Sequence, residues 1–274
     1  MIIYAFGYII YKNTIQRLNV NDIFYPLLLT AAAGLAGCIG FFAIFIPSKN
    51  IQKLLSAALG FSAGVMITVS FSDLLPEAQT MLEGTYSQRA AAAITLLFLV
   101  LGVIFALFID RFVPHETGDN ASSHEHRDLL RVGVVSALAM MLHNFPVGIA
   151  TFLAGYSDMS LGFSIAIAIA LHNIPEGLAI ALPIYYSTKS VSKSFLFVLL
   201  SAVAEPLGGL CAYLFLSPFI NAIVLGAIFA VIAGIMLYIS FEELLPSSRK
   251  YGYNSITLFS VLGGICVIFI STAI

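Results

Sequence analysis

Long apolar runs, each of a length to cross a lipid bilayer, follow one another through this chain, and few folds accept that. A spanning helix needs about 20 mostly apolar residues. Eight segments qualify, near 25–47, 52–75, 90–110, 131–154, 160–186, 194–216, 219–245 and 254–274. Polar or turn-forming breaks separate them: "PSKNIQK", "LEGTYSQR", "RFVPHETGDNASSHEHRD", "GYSDMS", "YSTKSVSK", "LSPF" and "SSRKYGYN". A soluble core is excluded by composition. The chain is 60% hydrophobic and 9% charged, whereas a soluble domain carries about 25% charged residues and needs them to cover its surface. The expected fold is an all-α polytopic membrane protein of eight transmembrane helices, spanning 25–274. Residues 1–24 precede it as an extracytoplasmic arm. The first eleven residues are apolar but too short to span, and they lack the charged start and cleavage site of a signal peptide.

The positive charges orient the bundle. With alternating sides, Lys49, Lys53, Arg111, Arg127, Arg131, Lys189, Lys193, Arg249 and Lys250 fall on one face, and Lys12, Arg17 and Arg89 on the other. Lys and Arg concentrate in cytoplasmic loops, so the first face is cytoplasmic and both termini lie outside, in the cell's inner membrane. The net charge of −2 points to no nucleic-acid partner. Cys38, Cys211 and Cys266 each sit in an apolar run without CxxC spacing, and are expected to be small buried hydrophobes.

Two phrases are written twice. "LHNFPVGIA" (Leu142–Ala150) returns as "LHNIPEGLA" (Leu171–Ala179), on the fourth and fifth helices. "SFSDLLP" (Ser70–Pro76) ends the second helix and "SFEELLP" (Ser240–Pro246) ends the seventh. Each echo pairs helices of opposite direction, as in an inverted-topology repeat with its binding site near the bilayer midplane.

The residues inside the first echo suit a metal ion. Residues i and i+4 share a helix face, so His172 and Glu176 present an imidazole and a carboxylate together, with Asn173 one step round. Pro175 removes a helical hydrogen bond, and Gly177 lets another helix approach closely. His143, Asn144, Pro146 and Gly148 repeat the arrangement. Glu176 and Glu205, the latter in "SAVAEPLGG" of the sixth helix, are acids at membrane depth with no Lys or Arg at similar depth. Such a group is costly unless paired, hydrated or metal-bound. The natural counter-charge for the His-Asn-Pro-Glu set is a metal cation, while for Glu205 alone a protonated, hydrogen-bonded acid is an equal alternative. Imidazole, carboxylate and amide ligands fit Zn²⁺, Fe²⁺, Mn²⁺ or Co²⁺, and the lack of clustered Cys or Met argues against Cu(I).

These residues resemble the ZIP family of zinc- and iron-regulated-transporter-like proteins, in its bacterial broad-specificity zinc-transporter branch. The resemblance covers essentially 25–274: the helix layout, the paired His-Asn-x-Pro motifs, "AEPLGG" and "FEELLP". It implies uptake of divalent metal (zinc, with iron, manganese, cobalt and cadmium as further cargo) into the cytoplasm, no prosthetic group, and a 3+2+3 bundle with the fourth and fifth helices central. It also implies a first metal site of His143, His172 and Glu176, and a second of Asn144, Asn173, Glu176 and Glu205, bridged by a carboxylate at position 147. This chain has Val147 there, and Val cannot bind a cation.

Asp73 and Glu77 near the outer end of the second helix, and Glu242 and Glu243 at the inner end of the seventh, are expected to attract ions on the way in and to receive them on the way out, or else to be solvated helix ends. The 111–130 cytoplasmic loop holds His115, Glu116, His124, Glu125 and His126 and reads as a flexible polar linker, with loose binding of cytoplasmic metal as the alternative. Gly60 and Gly64 form a GxxxG that suits close helix packing, within the chain or in a homodimer. Two other functions compete with transport. An intramembrane metalloenzyme would be expected to carry H-E-x-x-H, which is absent; a metal sensor would bind without conducting, and Val147 makes that reading less remote. No P-loop pattern appears, so direct ATP drive is not expected.

Overall fold

A computed structural model of the protein describes residues 23–112, 121–157, 159–216 and 221–273. Residues 1–22 of the arm expected over 1–24 and the loop residues His115 and Glu116 lie outside these residues, as do the side chains of His124, Glu125 and His126. Every regular element among the described residues is helical. We number the helices α1 (Phe24–Phe45), α2 (Ile51–Glu83), α3 (Gln88–Phe112), α4 (Ala121–Ser157), α5 (Met159–Thr188), α6 (Val191–Leu216), α7 (Ala222–Arg249) and α8 (Asn254–Ala273). The first seven are long and apolar enough to cross a membrane; the apolar part of α8, Asn254–Ile270, is shorter.

Local sequence sets the helix ends. Asn50, Ser190 and Asn221 cap α2, α6 and α7, their side-chain oxygens accepting from the backbone N–H of Lys53, Lys193 and Val224. Each cap is worth about 1 kcal/mol because it satisfies a donor that the first helical turn leaves free. Lys189 closes α5 in the left-handed region, at φ 54.

Two helices run further than their hydropathy predicts. α2 continues to Glu83 and α7 to Arg249, past Pro76 and Pro246. In both, the five residues of the echoed phrase, Ser70–Leu74 and Ser240–Leu244, form a π-helical turn. Leu75 N–H bonds to Ser70 O and Leu245 N–H to Ser240 O, one residue beyond the α-helical partner. The widened turn lies directly ahead of each proline, whose ring would otherwise strike the carbonyl four residues back. Proline therefore marks a bulge here, not a stop. The echo recurs in its side-chain bonds as well: Ser70 Oγ donates to Met66 O, and Ser240 Oγ to Met236 O, each at 2.8 Å.

Glycine sets the helix spacing. A Cβ on Gly64 of α2 would land on the Val261 carbonyl oxygen of α8, and one on Gly264 on that of Phe61. The α3–α7 pair does the same, Gly102 against Val231 O and Gly234 against Leu99 O. Around the central helices, Gly177 meets Gly37 O, Gly40 meets Ile174 O, Gly148 meets Glu205 O and Gly208 meets Phe145 O. Without a hydrophobic drive between helices in lipid, such backbone approach is what lets them pack. Gly60 likewise meets Thr257 and Ser260, so the GxxxG of α2 packs against α8 of the same chain. α1, α4, α5 and α6 pack on one another; α2 pairs with α8 and α3 with α7. The two sets meet along α2–α5 and α4–α7.

One expectation fails. Cys38 and Cys211 are only half-buried and Cys266 is exposed; all three are free. An apolar run does not report burial here, because a lipid-facing surface is as apolar as a core. Leu96, Phe108 and Phe259 are exposed for the same reason.

Gly234→Ala is expected to destabilise the detergent-solubilised protein, because a backbone oxygen cannot move aside and overpacking costs about 1–3 kcal/mol. Gly263→Ala, which meets only the Phe61 ring at 3.9 Å, is expected to be neutral or to gain up to about 1 kcal/mol of helix propensity. Thermal unfolding followed by size-exclusion chromatography compares the two.

Candidate metal-binding site

The echoed phrases of α4 and α5 come together, as their repetition predicts. These consecutive helices pack along each other, and His143 Nε2 of α4 stands 3.6 Å from Glu176 Oε1 of α5. That is longer than a hydrogen bond, so the two groups face each other without closing. Both helices run unbroken through Pro146 and Pro175. The Pro175 carbonyl accepts from Ser62 Oγ of α2 at 2.8 Å.

The two asparagines are held in matching ways. Asn173 Nδ2 donates to Ala33 O of α1 at 2.8 Å and to Glu205 Oε2 of α6 at 2.7 Å. Asn144 Nδ2 donates to Ser201 O at 3.0 Å and Ser201 Oγ at 3.3 Å, also on α6. A carbonyl can only accept, so each amide nitrogen is committed to the backbone and each amide oxygen remains as an acceptor. Glu205 is wholly buried, at 0% exposure, with its backbone pressed on Gly148.

What remains unsatisfied defines the site. His143 Nδ1, Asn144 Oδ1, His172 Nε2, Glu176 Oε2 and Glu205 Oε1 are buried and lack a hydrogen-bond partner. Leaving such groups unpaired costs about 1–3 kcal/mol each, and natural proteins rarely do it without a reason. The five orphans lie on three neighbouring helices, α4, α5 and α6, and are nitrogen and oxygen atoms of the types that ligate cations. A small cavity is lined by two of these residues, Asn144 and Glu176, together with Gly34, Asn173, Gly177 and Ser201. Among the described residues, no three His, Cys, Asp or Glu side chains are grouped closely enough to hold a metal ion. Val147 is buried and offers no ligand.

The other expected residues lie away from this centre. Asp73 is eleven residues beyond Ser62 on α2, about 16 Å at 1.5 Å per residue. It is half-buried, and Glu77 behind it is buried with both carboxylate oxygens unpartnered. Glu242 is exposed, whereas Glu243 is buried and paired with Arg131 of α4 at 2.8 Å. Arg131 also pairs with Asp110 of α3, to which Tyr238 OH donates at 3.1 Å. Sequence reasoning missed this cluster. Asp110 and Arg131 look like ordinary helix-edge charges, and no local pattern joins Arg131 to Glu243 112 residues away.

The comparisons with known proteins place the chain in a family. The sequence pattern of the "ZIP Zinc transporter" family matches residues 23–132 and 115–272. A zinc transporter ZupT from Streptococcus mutans is 41% identical over 257 residues, covering 92% of this chain and 97% of that one. Its namesake from Clostridium perfringens is 38% identical (92% and 96% covered), and that from Chlorobium phaeovibrioides 42% (92% and 98%). With its helical fold, buried His-Asn-Glu set and these relatives, the chain belongs to the ZIP zinc transporter family, a family of transporters and not of enzymes.

Proposed function

We propose that the protein carries divalent transition-metal ions, zinc foremost, across the cytoplasmic membrane into the cell, through a site made by His143, His172, Glu176, Asn144, Asn173 and Glu205. The observation that carries this reading is the set of buried, unpartnered donor atoms on α4, α5 and α6. Iron, manganese, cobalt and cadmium share the ligand preferences that admit zinc. Asp73 and Glu77 lie toward the outer end and Glu242 and Glu243 toward the inner end of the route. Transport runs down a gradient or coupled to one, since the sequence has no nucleotide-binding loop.

An inverted repeat, with α1–α3 matched to α6–α8 around α4 and α5, is supported by the pairing of contacts. Phe61 and Gly64 on α8 answer to Val231 and Gly234 on α3, and Gly177 on Gly37 answers to Gly148 on Glu205. Asn173 on Ala33 answers to Asn144 on Ser201. The charge bias of the breaks supports outward termini.

Zinc uptake into proteoliposomes is expected to collapse in His172→Ala and Glu176→Gln. Losing a ligand costs at least the roughly 10–100-fold that loss of an outer-shell partner costs. Uptake unchanged in both variants would overturn the site. Zinc bound by the parent without flux would instead favour a sensor, the reading to which Val147 lends weight.

Position 147 yields a sharper expectation. The parent is expected to bind one metal ion and Val147→Glu two, because the added carboxylate restores the bridge between adjacent sites. Elemental analysis of purified protein measures both, and two tightly bound ions in the parent would sink the idea. Alkaline phosphatase fused to the C-terminus is expected to be active, and an inactive fusion would reverse the orientation.

A further inference from the structure

The two seams between the helix sets are closed in different ways. Along α2–α5 the middle is shut by the Ser62 hydroxyl on the Pro175 carbonyl. Along α4–α7, Pro146 and Ile232 occupy the matching places, and there the middle is open. An apolar cavity of ≈ 260 Å³ lies against Phe98, Phe105, Leu142, Pro146, Ile228 and Ile232. This second seam is held at its end, where Arg131 of α4 reaches Asp110 of α3 and Glu243 of α7. On the matched seam the place of Arg131 is taken by Ser160, and no such clamp exists there among the described residues.

Arg131 is well placed to hold that end. Its side chain is 19% exposed and Glu243 only 4%, so the pair is shielded from water, and Tyr238 fixes the second Asp110 oxygen. Both partners come from helices outside the set that carries the metal site. Arg131 itself lies on the same helix as His143, twelve residues ahead, about 18 Å along the axis. With Glu242 beside it, the cluster has three carboxylates to one guanidinium. A divalent cation passing this way competes with Arg131 for oxygens it only partly neutralises.

We propose that Arg131 is a latch: its ion pairs to Asp110 and Glu243 hold the inner end of α4 closed against α3 and α7, and cargo metal opens it by displacing the guanidinium. Arg131 thus positions a helix and is not itself a ligand. The proposal rests on the transport reading and deepens it by naming what releases the ion to the cytoplasm.

The test uses the full chain in proteoliposomes, with Cys38, Cys211 and Cys266 replaced by Ser and one cysteine introduced as Ser136→Cys. Ser136 is fully buried on α4 between the latch and His143, and its hydroxyl has no partner. Labelling by a membrane-impermeant thiol reagent on the cytoplasmic side is expected to be slow in this parent. Zinc should raise it by roughly tenfold or more, the size of shift that a change of dominant state produces. Arg131→Gln should label fast with or without zinc, while Arg131→Lys, which keeps the charge, should behave as the parent. Should Arg131→Gln fail to assemble, Glu243→Gln removes the same pair and carries the same expectation. Equal zinc-free labelling of the parent and Arg131→Gln would overturn the latch, as would a parent unmoved by zinc while it transports zinc. Absence of zinc uptake by the parent, with the Arg131 contrast intact, would sink the transport reading and leave the latch standing.

Discussion

A carboxylate in the middle of a bilayer has no water to turn to, and the architecture of this protein follows from that. Glu176 and Glu205 are buried on neighbouring helices, each with an oxygen left unpartnered. The helices that carry them cannot turn outward, because the lipid would not accept those groups. They must stay central, and other helices must shield them. The outer surface is covered by exposed Leu, Ile and Phe side chains, on α3 and α8 and also on α1, α5 and α6.

Shielding requires close packing, and glycine provides it. The contacts of Gly148 on Glu205 and of Gly177 on Gly37 bring α6 and α1 against α4 and α5. The same approach lets the Asn173 amide reach both Ala33 O and Glu205. A methyl group added at these glycines would separate the buried polar groups that the close packing brings together. The glycines and the buried polar groups therefore form one device: small residues set the distance, and polar residues use it.

The ends of the bundle obey different physics. There water and charge are available, and a buried ion pair can hold helices together without a cation from outside. Arg131 with Asp110 and Glu243 is such a pair, and it ties α4, the helix of His143 and Asn144, to α3 and α7. Asp73 and Glu77, near the opposite end, have no basic partner of this kind among the hydrogen bonds and ion pairs of the described residues. The protein is thus polarised along its length, with a clamped end and an unclamped one.

Much of this was legible from the chain alone. Hydropathy runs, breaks and the doubled His-Asn-x-Pro phrase are properties of neighbouring residues, so they identified a helical membrane bundle and placed His143 and Glu176 face to face. Other features were decided only in three dimensions. That Pro76 and Pro246 sit behind π turns depended on how the backbone absorbed the ring. That Cys266 faces outward depended on which side of α8 met α2, and in lipid an outer face is as apolar as an inner one. That Arg131 finds Glu243 depended on two helices far apart in sequence meeting at one end. Local patterns determine which segments enter the membrane and what chemistry they bring; only packing decides which of those groups touch, because contact between distant segments is a property of the assembled bundle.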